Sequence, residues 1–369
     1  MIRALFAFVL FACALAARGE EPAEPRDPDN PHARLLVVRD REGREHPVQS
    51  AVDWEIRRAE ILAGMQEAMG PLPKRASGPL HVAVDEQIEG DNFVRQTISF
   101  AVEADDRVTA FLYLPRGLEE GQRRPAMLAL HPTGAQGKGL VAGLAEKPNR
   151  AYGLELAQRG YVVLAPDYPT FGGLEDYDFE ADDYVSGTMK GIVNHMRSVD
   201  LLQGLAEVDP QRIGVIGHSL GGHNAMFVGA FDQRLKVVVS SCGWTPFHYY
   251  YGGKLAGWTS ARYMPRIADR FMLDPDRVPF DFYGVAGALA PRAFFSNSPT
   301  GDDNFDYQGV KRAEPIVREV YALLGAEDRL RIRYPDCGHD FPRELRQEAY
   351  EFIDQALAHV PDPRAPELE

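Results

Sequence analysis

The chain has 369 residues, 45% of them hydrophobic, and a formal net charge of −14. That is enough apolar material for one large domain or two modest ones. So acidic a chain does not capture phosphate backbones, which excludes nucleic acid as a partner. No apolar run approaches the ~18–20 residues that cross a bilayer, so no stable membrane span is expected.

The N-terminus has the form of an export signal. Arg3 supplies the positive start, residues 4–16 the short apolar core, and Ala14-Leu15-Ala16 and Ala17-Arg18-Gly19 the small-residue cleavage sites. Residues 1–19 are expected to be a signal peptide and the protein to be secreted or periplasmic. A lipoprotein acylated at Cys13 fits less well, because Phe11 is bulky and the apolar core before it is short. Cleavage removes two arginines and no acid, moving the charge from −14 to −16. Residues 20–33 are rich in proline and charge, and residues 20–50 are expected to form a flexible leader.

Trp54, Ile61, Leu62, Met65 and Met69 share one face of a helix over 52–69, which Gly70-Pro71 stops. Residues 79–115 alternate apolar and polar, with turns at Glu89-Gly90-Asp91 and Ala104-Asp105-Asp106, and read as antiparallel strands. The pattern then changes to continuous apolar runs at 125–130, 161–165, 212–216, 236–240, 292–295 and 330–334. Helix-length segments lie between most of them, at 150–159, 182–207, 221–231, 308–324 and 342–358. Apolar strands alternating with helices imply a parallel sheet covered on both faces. The expected architecture is thus α/β: a mostly parallel, doubly wound sheet over 51–360 with leading antiparallel strands. A Trp-, Tyr-, Phe- and Gly-rich stretch at 243–290 is expected to be a lid-like insertion, and 361–369 a disordered tail.

The third apolar run leads into Gly217-His218-Ser219-Leu220-Gly221 and then a helix-like segment. A serine on a sharp strand-to-helix turn, with glycine two residues to either side, is held exposed where a nucleophile is wanted. Such a serine needs a base, an orienter for that base and donors for an oxyanion. Ligands bind parallel α/β sheets at the C-terminal ends of the strands, so the partners are sought there. His339 follows the last strand and precedes the last helix, with Gly338 turning the loop. Asp302 follows the preceding strand and lies nearest its end within the turn; Asp303 is the alternative and Asp306 a more distant third. The order Ser219, Asp302, His339 is the order of one serine-hydrolase architecture and not of the others. The oxyanion donors expected are the backbone N–H groups of Leu220 and Thr133, with Gly134 as the alternative to Thr133.

His131 is expected to buttress its loop. His218 and His223 flank the serine, and their spacing does not set up a metal-ligand pair with Asp302. No metal and no cofactor is called for. The acidic run Glu175, Asp176, Asp178, Glu180, Asp182 and Asp183 reads as a solvated loop leading into a helix N-terminus, or else a cation or sugar site. Trp244, Phe247, Tyr249, Tyr250, Tyr251 and Trp258 read as a lid packed on the core, an acyl or sugar pocket, or both. Cys242 and Cys337 fall at the ends of strands separated by another strand, about 9–10 Å apart, too far to bridge. Two free, mostly buried thiols are expected.

These residues resemble the α/β-hydrolase superfamily over roughly 79–360, on the Gly217-His218-Ser219-Leu220-Gly221 turn, the Asp302/Asp303 turn and Gly338-His339. Within it the chain is similar to the dienelactone-hydrolase-like, acetyl-xylan-esterase-like and prolyl-oligopeptidase-like branches. The resemblance implies Ser219 as nucleophile, His339 as base and Asp302 as orienter, in a serine hydrolase that cleaves carboxylic esters through an acyl-enzyme. It points to small-molecule or carbohydrate esters as substrates. The chain departs from dienelactone hydrolase itself, which uses a cysteine nucleophile, and has no room for a propeller domain. A peptidase or amidase is the alternative enzyme, and a non-catalytic binding protein the alternative of another class.

Overall fold

A computed structural model describes residues 30–368 except 41, 75–77 and 104–105. The expected signal peptide, at 1–19, lies outside the described residues. The first elements are two short strands, β1 (Val37–Arg39) and β2 (Glu45–Pro47), paired antiparallel. Helix α1 (Ala51–Met69) follows, begun by Ser50, whose Oγ accepts from the Asp53 N–H at 3.2 Å and donates to the Asp53 carboxylate at 2.8 Å. This reciprocal cap satisfies orphan donors of the first turn. Gly70 ends the helix at φ +100°, a conformation costly for any residue with a Cβ.

Strands β3 (Ala83–Glu89), β4 (Phe93–Ala101) and β5 (Arg107–Pro115) form an antiparallel run. Strand β6 (Arg124–Leu130) leads through α2 (Lys138–Val141) and α3 (Tyr152–Gln158) to β7 (Val162–Pro166). Then come α4 (Gly187–Gly204), β8 (Val208–His218), α5 (Leu220–Phe231) and β9 (Leu235–Ser241). Short helices α6 (Arg266–Asp269) and α7 (Phe282–Gly287) precede β10 (Ala293–Asn297). Helix α8 (Tyr307–Leu323), β11 (Leu330–Arg333) and α9 (Arg343–Ala356) complete the chain order.

One sheet of nine strands results, in the order β11-β10-β9-β8-β6-β7-β5-β4-β3. Strands β6 to β11 are mutually parallel where they pair, and β5 joins β7 antiparallel. After β6 the chain moves to one side for β7 and to the other for β8. The crevice beyond the C-terminal ends of β6 and β8 is therefore the switch point at which ligands bind in such sheets. Helices cover both faces. Tyr152, Leu156, Tyr350 and Phe352 pack one face with β-strand residues such as Met127 and Val239. The second face buries Met189, Ile192, Phe227 and Val317 against Leu128 and Val215. The α/β-hydrolase architecture expected from the sequence is the one observed. At the outer edge, all seven residues of β3 are exposed, and a bulge interrupts its pairing between Val84 and Glu86.

Two segments, the leader and the tail, differ from expectation. The flexible leader does not extend through residue 50. Pro31–Ala33 forms a 3-10 turn, Leu35 and Val48 are buried, and Asn30 is 4% exposed. Stretch 243–290 packs on the core, one of the two readings given to its aromatics. Trp244, Phe247, Leu255, Trp258 and Phe282 belong to the same core as the sheet residues, because its aromatics pack edge to face and tilted into a continuous layer. The tail is tied down at its start, where the Asp362 N–H donates to the Arg159 carbonyl and Asn92 Nδ2 donates to its carboxylate. Both described cysteines are free, Cys242 buried and Cys337 half-buried.

Asp281 ties together the two ends of the 243–290 stretch, here called the cap, and links it to the N-terminal segment. Its Oδ1 accepts from the backbone N–H groups of Phe247 at 3.0 Å and Phe282 at 2.6 Å, and Asn30 Nδ2 reaches its Oδ2 at 3.5 Å. Burial pushes this carboxyl up to about 7, against the opposing pull of those backbone donors. The folded protein thus holds a proton that an unfolded chain, with an ordinary aspartate near 3.9, releases. Stability should fall as pH rises from about 4 to about 7, by up to a few kcal/mol. Asp281→Asn keeps an oxygen for both N–H groups and should flatten that dependence. Urea midpoints at pH 5 and pH 8 check this, with the variant expected to exceed the parent at pH 8 only.

Candidate functional site

Ser219 sits at the junction of β8 and α5 with φ +55° and ψ −117°. A serine takes this conformation only when its surroundings enforce it. The enforcement is visible in the glycines. A Cβ on Gly217 would lie 2.1 Å from the Gly221 carbonyl oxygen, and one on Gly221 would lie 2.0 Å from the Leu130 carbonyl oxygen. The first turn of α5 is thereby pressed against the end of β6, and the Ser219 N–H is fixed on the Ser241 carbonyl at 2.8 Å. The Leu220 N–H opens the helix, where backbone donors and the helix dipole favour negative charge.

Asp302 and His339 are brought together. His339 Nδ1 is 3.0 Å from both Asp302 carboxylate oxygens. The carboxylate also accepts from the N–H groups of Asn304 at 2.9 Å and Phe305 at 3.1 Å. Burial pushes the Asp302 carboxyl up, but the His339 hydrogen bond and charge and the two backbone donors outweigh it, and the net direction is down. Its side chain is 0% exposed whereas that of His339 is 26% exposed, so the acid is screened and the imidazole can be reached. With Nδ1 committed to Asp302, Nε2 is the nitrogen left for other chemistry. Asp303 is exposed, and Asp306 caps α8 by accepting from the Gln308 N–H at 2.9 Å.

The loop that carries His339 is anchored on several sides. Arg150 makes an ion pair with Asp340 at 2.6 Å and donates to the His339 carbonyl at 3.1 Å; Asn149 donates to Asp340 at 2.7 Å. Asn297, at the end of β10, donates to the Asp340 carbonyl at 2.9 Å and to Ser241 Oγ at 2.8 Å. Buried Cys242, at φ +48°, donates from Sγ to the same Asp340 carbonyl at 3.2 Å. The sequence alone did not single out Arg150, Asn297 or Cys242 for this loop. Asn297 and Cys242 could have been found by the rule that picked Asp302, since each ends or follows a parallel strand.

His131 does buttress its loop: Nδ1 donates to the Pro132 carbonyl at 2.7 Å and Nε2 accepts from the Tyr168 N–H at 3.0 Å. Thr133 is exposed at the crevice and its side chain is hydrogen-bonded with Tyr263 of the cap. His218 Nδ1 contacts Ser241 Oγ at 3.0 Å, and burial first, then Arg150 and His339, hold it neutral, well below its ordinary value. His223 lies among aromatic rings, 4.9 Å from Trp258 and 5.8 Å from Tyr263, and burial lowers it to about 3. His218, His223 and Asp302 do not converge on a common point. Among the described residues the one cluster with ligand atoms in mutual reach is Cys242, Asp302 and His339. The acidic run is largely exposed and precedes Ser186, the cap of α4.

The profile of the alpha/beta hydrolase family matches residues 140–366. With the strand order and the elbow described above, the chain belongs to the alpha/beta hydrolase family. YtaP of Bacillus subtilis (strain 168) is 27% identical over 322 residues, covering 81% of this chain and 100% of that protein. The 4-O-methyl-glucuronoyl methylesterase of Podospora anserina is 22% identical over 312 residues, covering 76% of this chain and 58% of that one. The structure of a glucuronoyl esterase from Solibacter usitatus superposes with a TM-score of 0.69 at 21% identity, over 87% of this chain and 97% of that one.

Asp167, directly after β7, controls the loop that carries Thr133. Its fully buried carboxylate is ion-paired with Lys138 Nζ and accepts from the Lys138 N–H at 2.8 Å, Thr109 Oγ1 at 2.7 Å and the Gly173 N–H at 3.0 Å. Removing one partner of such a pair strands the other charge. Asp167→Asn should cost about 3–5 kcal/mol, whereas Asp167→Asn with Lys138→Met should recover much of it. Denaturant melts of the two variants test this.

Proposed function

We propose that the protein is a serine carboxylic ester hydrolase acting on carbohydrate esters. The observation that carries the proposal is the buried Asp302 carboxylate on His339 Nδ1, with both residues following the C-terminal ends of parallel strands as the strained Ser219 does. Ser219 Oγ attacks the ester carbonyl. His339 takes the serine proton on Nε2 and delivers it to the leaving alcohol, while Asp302 holds the imidazole in that tautomer. The N–H groups of Leu220 and Thr133 stabilise the tetrahedral oxyanion, an effect of about 3 kcal/mol per donor. Water then attacks the acyl carbon as His339 takes its proton, and the bond to Ser219 Oγ breaks as His339 returns that proton to the serine, releasing the carboxylic acid. The alkoxide of an ester leaves more readily than an amine, so no further device for amide cleavage is invoked.

The carbohydrate part of the proposal draws on the names of the related esterases, which act on sugar esters. The aromatic surround of the site, with Phe305 stacked on His339 at 6.1 Å and Tyr263 beside Leu220 and Phe171, suits the apolar face of a sugar ring. Residues 1–19 are taken as an export signal, so the enzyme works outside the cytoplasm on substrates it meets there. No helix of the described residues is long and apolar enough to cross a membrane.

A fluorophosphonate should label the protein at pH 8, and Ser219→Ala should abolish labelling; an unlabelled, folded parent would remove the enzyme proposal. Hydrolysis of acetylated xylan and of a methyl glucuronate ester, with Pro- and Ala-anilides left intact, separates esterase from peptidase. Asp302→Asn should lower kcat by about 10³–10⁴-fold, while exposed Asp303→Asn should stay within about twofold.

A further inference from the structure

We propose that Cys242, Asp302 and His339 form an inhibitory binding site for a thiophilic divalent cation such as Zn²⁺ or Cd²⁺. One sulfur, one carboxylate oxygen and one ring nitrogen from these residues lie within 4.8 Å of one another. Tetrahedral zinc, bound at about 2.0–2.3 Å by such atoms, holds its ligands roughly 3.3–3.8 Å apart. The widest of these separations needs to close by about 1–1.5 Å around the ion. Thiolate, carboxylate and imidazole together are a ligand set that zinc and cadmium accept, with water as the fourth ligand.

The positions are fixed by different strand ends. Cys242 follows β9, Asp302 follows β10, and His339 follows β11. The Cys242 thiol is already turned toward this point, since it donates to the carbonyl of Asp340, next to His339. The half-open His339 ring is the route in, as Asp302 is closed to solvent.

Binding has a definite proton balance. The neutral Cys242 thiol loses its proton to solvent as the metal–sulfur bond forms. His339 must ligate through Nδ1, so the proton that Nδ1 shares with Asp302 moves to Nε2. Nε2 is then a donor and accepts nothing from Ser219. The ion therefore blocks the base without touching the nucleophile, and apparent affinity rises with pH because one proton is released. The inhibition half of this proposal rests on the role given to His339 above; cation binding does not.

Cadmium titrated into the full chain should produce a thiolate-to-cadmium charge-transfer band that saturates at one ion per chain. The band should persist in Cys13→Ser/Cys337→Ser, where Cys242 is the sole thiol, and vanish in Cys242→Ala. Zinc should inhibit ester turnover reversibly to chelator, and Cys242→Ala should weaken that inhibition about tenfold or more. A band unchanged in Cys242→Ala, or one that follows Cys337, overturns the site whether or not the esterase proposal holds. Should Cys242→Ala fail to fold, X-ray absorption of the zinc complex of Cys13→Ser/Cys337→Ser decides: one sulfur with nitrogen and oxygen ligands supports the site, and no sulfur overturns it.

Discussion

The close approach of α5 to the end of β6 is the constraint on which the site depends. Gly217 and Gly221 leave no room for a side chain, so β8 must turn into α5 with Ser219 at positive φ. The same contact puts the Leu220 N–H beside the loop that begins at His131. A residue larger than glycine at 221 would have to push the Leu130 carbonyl, and with it the end of a central strand. The strained serine is therefore a product of packing that the whole sheet supports.

The other half of the site is held by polar contacts. The loop of His339 emerges from β11, at an edge of the sheet, where packing alone constrains little. Arg150, Asn149, Asn297 and Cys242 converge on His339 and Asp340 from three directions. The imidazole thus has a fixed Nδ1 partner and a fixed backbone, which leaves Nε2 uncommitted. Asp302 is held in turn by the N–H groups of its own turn, which keeps a buried carboxylate ionised beside an aromatic wall.

Sequence patterns disclosed the periodic parts of this molecule and the chemistry at strand ends. The helix over 52–69, the six parallel strands and the elbow at Ser219 all follow from local rules: spacing, capping, and glycine where a Cβ would clash. Position relative to a strand end singled out Asp302, whose carboxylate lies buried beside His339 while Asp303 lies in solvent. What stayed illegible is non-local. Nothing near Asp281 in the sequence marks it as the clasp between Asn30 and Phe247, and nothing near Lys138 announces Asp167. The cap over 243–290 has no period because its aromatics pack by ring geometry and not by helical or strand repeat. The leader misled for a related reason: a proline-rich, charged opening runs straight into Leu35 and Val48, two apolar anchors too far apart to make a pattern.

The outer strand β3 has a meaning for life at high concentration. A sheet edge with free N–H and C=O groups invites another chain to add a strand, and this edge carries Val84 and Ile88 in the open. Its sequence also carries Asp85, Glu86 and Glu89, and the bulge between Val84 and Glu86 breaks the regular ladder a visiting strand would need. Two copies approaching edge to edge would set carboxylates against carboxylates on molecules that are already strongly anionic. The edge is thereby gatekept against amyloid-like self-templating by repulsion and broken register, with no helix or loop needed to cover it.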